Sequence, residues 1–195
     1  ADAACWSFYI SKNMTTGEGG MITTNNDEIA EKMWFIRCHG EKEKYKSLML
    51  GHNYRMPEIE AAIGCVQLEK LPKFLDKRRK NAEKLTDILN EAKKLSLPKE
   101  PKGFKHSWYL YTVRLKGAKE EERDKIAEEL RRKGVGVGVY YVNPVHLMPY
   151  YSGFGKYKLP ETETASKQVF SLPVHPGVTP EQIDFVGEAV LHLIG

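Results

Sequence analysis

The sequence has few cysteines, no long apolar run and no large excess of either charge. Its three cysteines, Cys5, Cys38 and Cys65, are odd in number and form no C-x-x-C pair, which argues against a disulfide framework or a zinc knuckle. No apolar stretch approaches the ~20 residues that span a bilayer, and no basic segment before an apolar run resembles a signal peptide. Because 30 Lys and Arg stand against 26 Asp and Glu, the net charge is only +4. We therefore predict a cytoplasmic protein with reduced thiols.

The composition, with 41% hydrophobic and 29% charged residues, is typical of a folded protein and excludes a disordered chain. The length of 195 residues suggests one domain or two small ones. The chain starts at Ala1, and its first methionine is Met14. We therefore expect that either an initiator has been removed or the chain is a piece of a longer protein.

Two strand-like runs, residues 7–10 and 21–24, flank a turn-rich segment near the start of the chain. Asn26 has helix-cap chemistry, and the apolar spacing after it predicts a helix that ends near Cys38. Residues 39–55 are polar and show neither helical nor strand periodicity. The pattern predicts a long loop there, and long loops in compact domains are usually functional or disordered.

A helix is expected from Pro57 to about Val66, and Pro72 is expected to restart the chain before a second long helix. Residues 98–105 are rich in Pro, Lys and Gly and form the expected domain boundary. Beyond it the pattern predicts strands at 108–115, 135–141 and 170–174 and helices at 121–133, 162–169 and 180–194. This alternation predicts a small α/β domain with helices packed on one sheet.

Lys12 lies between a hydrophobic run and a turn rich in glycine and hydroxyl groups. A partly buried amine loses its proton more readily and then attacks aldehydes, and neighbouring hydroxyl and backbone N–H groups can bind a phosphate. Composition alone, however, favours an ordinary lysine in a β-turn, because such lysines are common.

The segment FYISKNMTTGEGG, residues 8–20, closely resembles the lysine motif F-Y-P-T-K-N-M-T-T-G-E-G-G of the DegT/DnrJ/StrS aminotransferases. Six further segments resemble this family in order along the chain: RCHG (37–40), GHNYRM (51–56), QLEKL (67–71), HSWYLY (106–111), HLMPYY (146–151) and LPVHPG (172–177). The similarity covers essentially the whole chain. It implies a fold type I enzyme that uses pyridoxal phosphate (PLP) on nucleotide-linked sugars.

The resemblance assigns roles to three residues at the cofactor. Lys12 would hold PLP as a Schiff base and later move the proton between substrate carbon and cofactor carbon. Ser7 would donate its hydroxyl to the cofactor phosphate. Asn53 would reach the phosphate of the neighbouring subunit's cofactor across a homodimer interface. The family resemblance assigns no metal to this site.

The resemblance also assigns residues to the substrate cleft. His39, Tyr54 and Arg55 would support the loop or line the cleft, and His146 with Tyr151 would lie at its rim. Simpler interpretations remain open at this stage, since Arg55 could only pair with a carboxylate and His39 could only cap a turn.

Lys12 itself favours transfer of nitrogen, because family branches that remove a hydroxyl have histidine at this place. Ile10 and Ser11 replace the usual Pro-Thr and leave the lysine in register. The expected reaction moves an amino group, with glutamate as the donor, onto a nucleotide-linked keto sugar in polysaccharide or sugar biosynthesis. The alternative is a non-catalytic module that binds sugar nucleotides or dimerises.

PLP chemistry also needs a carboxylate at the pyridine nitrogen, which the family supplies from sequence before the lysine motif. Only eleven residues precede Lys12, and Asp2 matches a stretch just after that region. The resemblance therefore implies the C-terminal part of such an enzyme, inactive alone. Residues 1–97 would be the edge of the large PLP-binding domain, with the dimer-contact loop and a long connecting helix, and residues 98–195 the small α/β domain.

Other patterns are weaker. Residues 134–138, GVGVG, lack the third glycine of a dinucleotide-binding motif and precede a predicted strand instead of opening a helix. The basic run at 77–80 suggests nucleic acid, but Asp76 and Glu83 interrupt it on a helix with an apolar stripe. We therefore interpret the run as a solvated helix face and expect no nucleic-acid partner.

Overall fold

The computed structural model describes residues 1–194, and its contacts divide the chain into two units, Ala1–Lys73 and Phe74–Gly195. The boundary lies within one helix, α2 (Glu58–Leu89), and not at the expected residue 97. The reason is that the C-terminal half of α2 buries its apolar side chains, Ala82, Leu85 and Leu89, in the core of the second unit. The assignment of the two parts to a large and a small domain of a longer enzyme stays a prediction.

The first unit begins with a hairpin of two antiparallel strands, β1 (Ala4–Ser7) and β2 (Gly20–Thr23), in which Ser7 lies opposite Gly20. The strand expected at 7–10 therefore ends at Ser7, and the lysine segment forms the loop. Helix α1 (Asp27–Arg37) follows, and the Asn26 side chain caps it by accepting a hydrogen bond from the Ile29 backbone N–H at 3.1 Å. The predicted helix and its cap are confirmed.

Residues 39–55 are not a structureless loop, contrary to the expectation. They contain a short hairpin of β3 (Glu41–Glu43) and β4 (Lys46–Ser47). Tyr45, in the turn, has a φ of 66°, a left-handed conformation. The charged sequence of this hairpin gives no apolar alternation, so strand periodicity could not reveal it.

Helix α2 runs without a break through Pro72, so the expected restart of the chain there is wrong. Proline removes one backbone hydrogen bond of a helix, and the segments on both sides are rich in residues that favour helix. The helices expected before and after Pro72 are therefore one element.

The second unit is built on an antiparallel sheet of three strands, β5 (Leu95–Ser96), β6 (Tyr111–Leu115) and β7 (Val169–Leu172), in that order. Tyr111 pairs with Leu172, and Leu115 pairs with Leu95. Its other helices are α3 (Glu120–Arg132), α4 (Pro160–Gln168) and α5 (Pro180–Ile194), with two 3-10 helices at Val145–Leu147 and Pro149–Phe154.

The strand expected at 135–141 is absent from the described residues. Of residues 135–141, only Gly138 pairs with β7, as an isolated bridge to Ser171. Gly138 and Ser171 exchange backbone hydrogen bonds of 3.1 and 2.7 Å. Alternating glycines weaken a strand, and here the Tyr140 ring folds back over Gly138, so that a Cβ on Gly138 would lie 2.5 Å from that ring.

A buried guanidinium connects α3 to the segment around α4 and β7. Arg123 has no exposed surface and donates hydrogen bonds to the carbonyl oxygens of Ser166, at 2.7 Å, and Val169, at 3.2 Å. Its Nε pairs with the Asp124 carboxylate at 2.6 Å. The side chain therefore satisfies carbonyl groups at the end of α4 and the start of β7 while its charge is partnered.

Candidate functional site

Backbone hydrogen bonds fix the loop that carries Lys12 between β1 and β2. The Phe8 N–H donates to Gly19 O, and its carbonyl accepts from the Thr16 N–H, each at 2.9 Å. The Lys12 N–H donates to Tyr9 O at 2.9 Å, which closes a tight turn at the lysine. The Thr15 hydroxyl also donates to Phe8 O at 2.9 Å. The lysine motif is thus a closed hairpin loop with half-buried Lys12 at its turn.

Thr16 is the residue by which this loop packs on α2. Only 3% of its surface is exposed, and its hydroxyl donates to the Glu18 carbonyl. A Cβ on Gly19 would lie 2.7 Å from Thr16 Oγ1, and a Cβ on Gly64 of α2 would lie 3.0 Å from Thr16 Cγ2. Both glycines therefore permit a close approach that larger residues would block. The sequence shows Thr16 within the lysine motif but does not show that Gly64 is its partner.

The donor groups present in this loop fit the aldehyde and phosphate ends of PLP. Lys12 supplies a primary amine, and Ser7, at the end of β1, supplies a hydroxyl. Ser7 Oγ lies 3.4 Å from the Tyr9 N–H, so the hydroxyl is at the mouth of the same loop as the lysine. An amine that bonds an aldehyde and a hydroxyl that donates to a phosphate are the chemistry that this cofactor requires.

The segments around Cys38 and Asn53 pair as an antiparallel bridge. The His39 N–H donates to His52 O at 2.9 Å, and the Tyr54 N–H donates to Arg37 O at 2.9 Å. Asn53 is exposed, while its backbone is fixed by this bridge. We call the bridged backbone, residues 37–39 and 52–54, the frame. The structure therefore brings four of the predicted residues, His39, Asn53, Tyr54 and Arg55, into one local cluster.

Two glycines make this frame possible. A Cβ on Gly40 would lie 1.8 Å from the Met49 carbonyl oxygen, and a Cβ on Gly51 would lie 1.9 Å from the Gly40 nitrogen. Gly40 also has a φ of 69°, which favours glycine. The glycine of RCHG and the glycine of GHNYRM are thus in direct backbone contact.

The side chains of the cluster take specific positions. Arg55 donates to the Cys38 sulfur at 3.5 Å, and no carboxylate partner for Arg55 is found in residues 1–194. His39, at a φ of 57°, lines a groove together with Arg55 and the β3–β4 hairpin. Tyr54 stacks on His52 with ring centroids 4.7 Å apart, and it lines a second, more apolar groove with Trp6 and Met21.

His146 and Tyr151 belong to the second unit and lie on its two 3-10 helices. His146 Nε2 lies 3.1 Å from Glu163 Oε1, a partner on α4 that sequence reasoning missed. Tyr151 forms an aromatic cluster with Tyr150 and Phe154, at centroid distances of 5.2 and 6.0 Å. The sequence could not reveal this pair, because Glu163 lies on α4 and His146 lies on a separate 3-10 helix 17 residues earlier.

The basic run at 77–80 is only partly a solvated face. Arg78 is 7% exposed and donates to the carbonyl oxygens of Trp108 and Tyr109 at 3.2 Å, and burial lowers its pKa. Arg79 pairs with Glu100 at 2.7 Å, and Lys80 with Asp76 at 2.8 Å. The expectation of a solvated face is therefore wrong for Arg78, which anchors the HSWYLY segment instead.

No helix within residues 1–194 is both long and apolar enough to cross a membrane.

A family model described as the DegT/DnrJ/EryC1/StrS aminotransferase family matches residues 1–191. A curated relative, the "Pleiotropic regulatory protein" of Geobacillus stearothermophilus, is 40% identical over 193 residues, which are 96% of this chain and 50% of that protein. The GDP-perosamine synthase of Caulobacter vibrioides is 36% identical over 191 residues, or 95% of this chain and 50% of that protein. The chain thus spans about half the length of the curated relatives it matches, which fits the expected C-terminal part of such an enzyme.

Solved structures also match nearly the whole of this chain with about half of their own length. S. venezuelae DesV, in complex with a ketimine intermediate, is 31% identical with a TM-score of 0.91 over 97% of this chain and 51% of DesV. The PLP form of Streptococcus pneumoniae Spr1654, described as a "Putative sugar aminotransferase", is 25% identical with a TM-score of 0.86 over 99% of this chain and 52% of that protein. These neighbours confirm the expected fold class, part of an α/β fold type I aminotransferase.

Proposed function

The chain belongs to the DegT/DnrJ/EryC1/StrS aminotransferase family, and from this we propose that it is the lysine-bearing part of a sugar aminotransferase. The reaction is the transfer of an amino group, with glutamate as donor, to a keto group of a nucleotide-linked sugar in the cytoplasm. The observation that carries the proposal is the closed hairpin in which Ser7 ends β1 and Lys12 lies at the turn of the loop, within a chain that matches the family over residues 1–191.

The cofactor is pyridoxal phosphate, which the family match and the PLP form of the Spr1654 structure indicate. When bound, PLP withdraws electrons from the carbon that carries the amino group and so allows a proton to leave it. Lys12 binds the cofactor aldehyde through Nζ, and Ser7 donates its hydroxyl to the phosphate. The amine Nζ of Lys12 would then be the group that moves the proton between the substrate carbon and the cofactor carbon.

Asn53 is proposed to bind the phosphate of the cofactor in a second subunit. Asn53 is exposed, whereas its backbone is paired with Cys38, so its amide is held at the surface of the first unit. An exposed amide donor on a rigid frame suits a phosphate held by another copy of the chain. This role makes the enzyme a homodimer.

The substrate residues are proposed to be His39, Tyr54 and Arg55 in the first unit and His146 with Tyr151 in the second. Arg55 supports this assignment because its guanidinium has a thiol, and no carboxylate, as its partner among residues 1–194. A guanidinium without a carboxylate remains able to bind the phosphate groups of a nucleotide.

We propose further that the site is completed by the part of the family fold that these residues do not include. The relatives are about twice as long, and the lysine-bearing unit leaves large apolar side chains exposed, with Trp6 at 55% and Trp34 at 57%. On this basis residues 1–195 alone bind PLP weakly and turn over no substrate.

The glutamate half-reaction tests this function without knowledge of the sugar. The full gene product, loaded with PLP, is mixed with L-glutamate, and one equivalent of 2-oxoglutarate is expected per active site. Transfer is then run in reverse, with GDP-perosamine as amino donor and 2-oxoglutarate as acceptor, and glutamate is quantified. A protein that binds PLP but releases no 2-oxoglutarate from glutamate would contradict the glutamate donor. A protein that binds GDP-perosamine but no PLP would be the non-catalytic module.

A further inference from the structure

One carboxylate joins the loop that carries His146 and Tyr151 to helix α4. Glu163 Oε1 lies 3.1 Å from His146 Nε2 and also accepts a hydrogen bond from the Leu159 backbone N–H at 3.0 Å. From this geometry we propose that Glu163 is a positioning residue for the sugar substrate and that it acts through His146. The inference rests on the function proposed above, which gives His146 a place at the substrate.

The pair determines which ring nitrogen of His146 carries a proton. An ionised carboxylate accepts hydrogen bonds and donates none, so Nε2 must be the protonated nitrogen. In the neutral ring Nδ1 is then the acceptor. Among residues 1–194 no group donates a hydrogen bond to Nδ1. Nδ1 is therefore the atom that accepts a hydrogen bond from a hydroxyl of the sugar.

The surroundings keep this arrangement in place. The Leu159 amide and the His146 ring together hold the pKa of Glu163 below its usual range, so the carboxylate is ionised at neutral pH. The His146 side chain leaves only 10% of its surface exposed, so packing restricts rotation of the ring. Position and protonation of the ring are thus both set before a ligand arrives.

The same carboxylate stabilises the ends of a segment that presents aromatic rings. His146 lies on Val145–Leu147, and the Tyr151 N–H donates to Met148 O at 2.9 Å at the start of the next 3-10 helix. Tyr151 is 42% exposed and Tyr150 is 76% exposed, so their ring faces can contact a ligand. A few fixed polar groups beside aromatic surface are typical of small-molecule sites.

The first test is structural and uses the chain itself. At pH 8, where imidazole is ordinarily neutral, ¹⁵N-histidine NMR should show wild-type His146 protonated at Nε2 alone. In Glu163→Leu both tautomers should appear, whereas Glu163→Gln, whose amide oxygen can still accept, should retain most of the Nε2–H form. Glu161→Gln is the matched control, because Glu161 is an exposed carboxylate on the same helix. A His146 spectrum that Glu163→Leu leaves unchanged would overturn the proposal.

The second test is kinetic and uses the full gene product. In Glu163→Leu the KM for GDP-perosamine should rise about 10-fold, the effect of one lost hydrogen bond. The KM for L-glutamate and kcat should change less than about twofold, because Lys12 chemistry is untouched, and Glu163→Gln should restore most of the affinity. Equal losses for both substrates would mean a structural role only and would overturn the proposal. A wild type that releases no 2-oxoglutarate from glutamate would instead contradict the proposed function, which the NMR result does not depend on.

Discussion

Leu85 and Ile63 lie on the same helix, α2, yet Leu85 has no exposed surface and Ile63 exposes 44% of its own. The difference separates the two units. In the described residues, every buried hydrophobic side chain lies at position 82 or later, within the second unit. The first unit has exposed strands and an α1 helix without a buried residue.

The proposed cofactor residues and the apolar core therefore lie in different units. Lys12, Ser7 and Asn53 all lie in the first unit, where backbone hydrogen bonds and close glycine contacts fix the loops. Apolar burial supplies most of the folding free energy of a domain, so the second unit is expected to be stable by itself. The first unit leaves large apolar side chains, among them Trp6 and Trp34, exposed.

The largest expected effect is the loss of function on Lys12→Arg. Arginine keeps the positive charge but cannot bond an aldehyde, so the full gene product should show no transamination and no covalently bound PLP. The unfolding free energy should be unchanged, because the second unit carries the core. Lys32→Arg, on the exposed face of α1, is the control and should leave both activity and stability intact. Residual transamination in Lys12→Arg would contradict the assignment.

Truncation of Leu85 and of Ile63, both on α2, tests directly whether the second unit alone has an apolar core. Leu85→Ala should lower the unfolding free energy of the chain by about 2–5 kcal/mol, because it leaves a cavity in a packed core. Ile63→Ala should change it by less than about 0.5 kcal/mol, because the side chain is half exposed in this chain. Urea denaturation followed by circular dichroism measures both. Equal costs for the two variants would mean that the first unit has a core of its own.

Gly40→Ala tests the geometry of the loop separately from the stability of the chain. Its Cβ would lie 1.8 Å from the Met49 carbonyl oxygen, so the frame that holds Asn53 must shift. A displacement of about 1 Å can cost about 100-fold in rate, and kcat/KM should fall to that extent. Gly117→Ala is the matched control, because Gly117 also has a positive φ, 72°, but a Cβ there meets nothing within 4 Å. Similar activity in the two variants would show that the frame tolerates displacement.

The smallest effect is a pH dependence in the second unit. Burial, with the nearby Arg78 charge, lowers the pKa of His175, and the Gly177 N–H donates to its Nδ1 at 3.3 Å. Because the unfolded chain takes up the proton first, stability should be full above pH 6.5 and decrease as the pH falls below it. His175→Gln should flatten this part of the stability curve between pH 6.5 and 5. A wild-type curve that rises with acidification there would contradict the assignment.

Elements with local signals were predictable from the sequence. The Asn26 cap and the last helix, Pro180–Ile194, were confirmed. Both were predictable because capping and apolar spacing depend on residues that are close together in the sequence. The strand at 135–141 and the break at Pro72 were wrong. Glycine spacing is a weak signal for a strand, and a single proline does not end a helix whose flanking segments favour helix.

In the candidate site, too, only the local features could be predicted from the sequence. The position of Lys12 in a turn followed from its motif, and the loop geometry confirms the turn. The contact of Thr16 with Gly64 and the pair of His146 with Glu163 could not be predicted, because each joins segments that are distant in the sequence. The cofactor and substrate roles of the residues stay predictions.

The site of covalent PLP attachment tests the central claim most directly. The full gene product is incubated with PLP, reduced with borohydride, digested and mapped by mass spectrometry. We predict that a pyridoxyl group appears on the peptide that contains Lys12, in a stoichiometry near one per chain, and that addition of L-glutamate before reduction removes it. A label spread over exposed lysines such as Lys32 and Lys70, or no label at Lys12, would contradict the claim that this hairpin holds the cofactor.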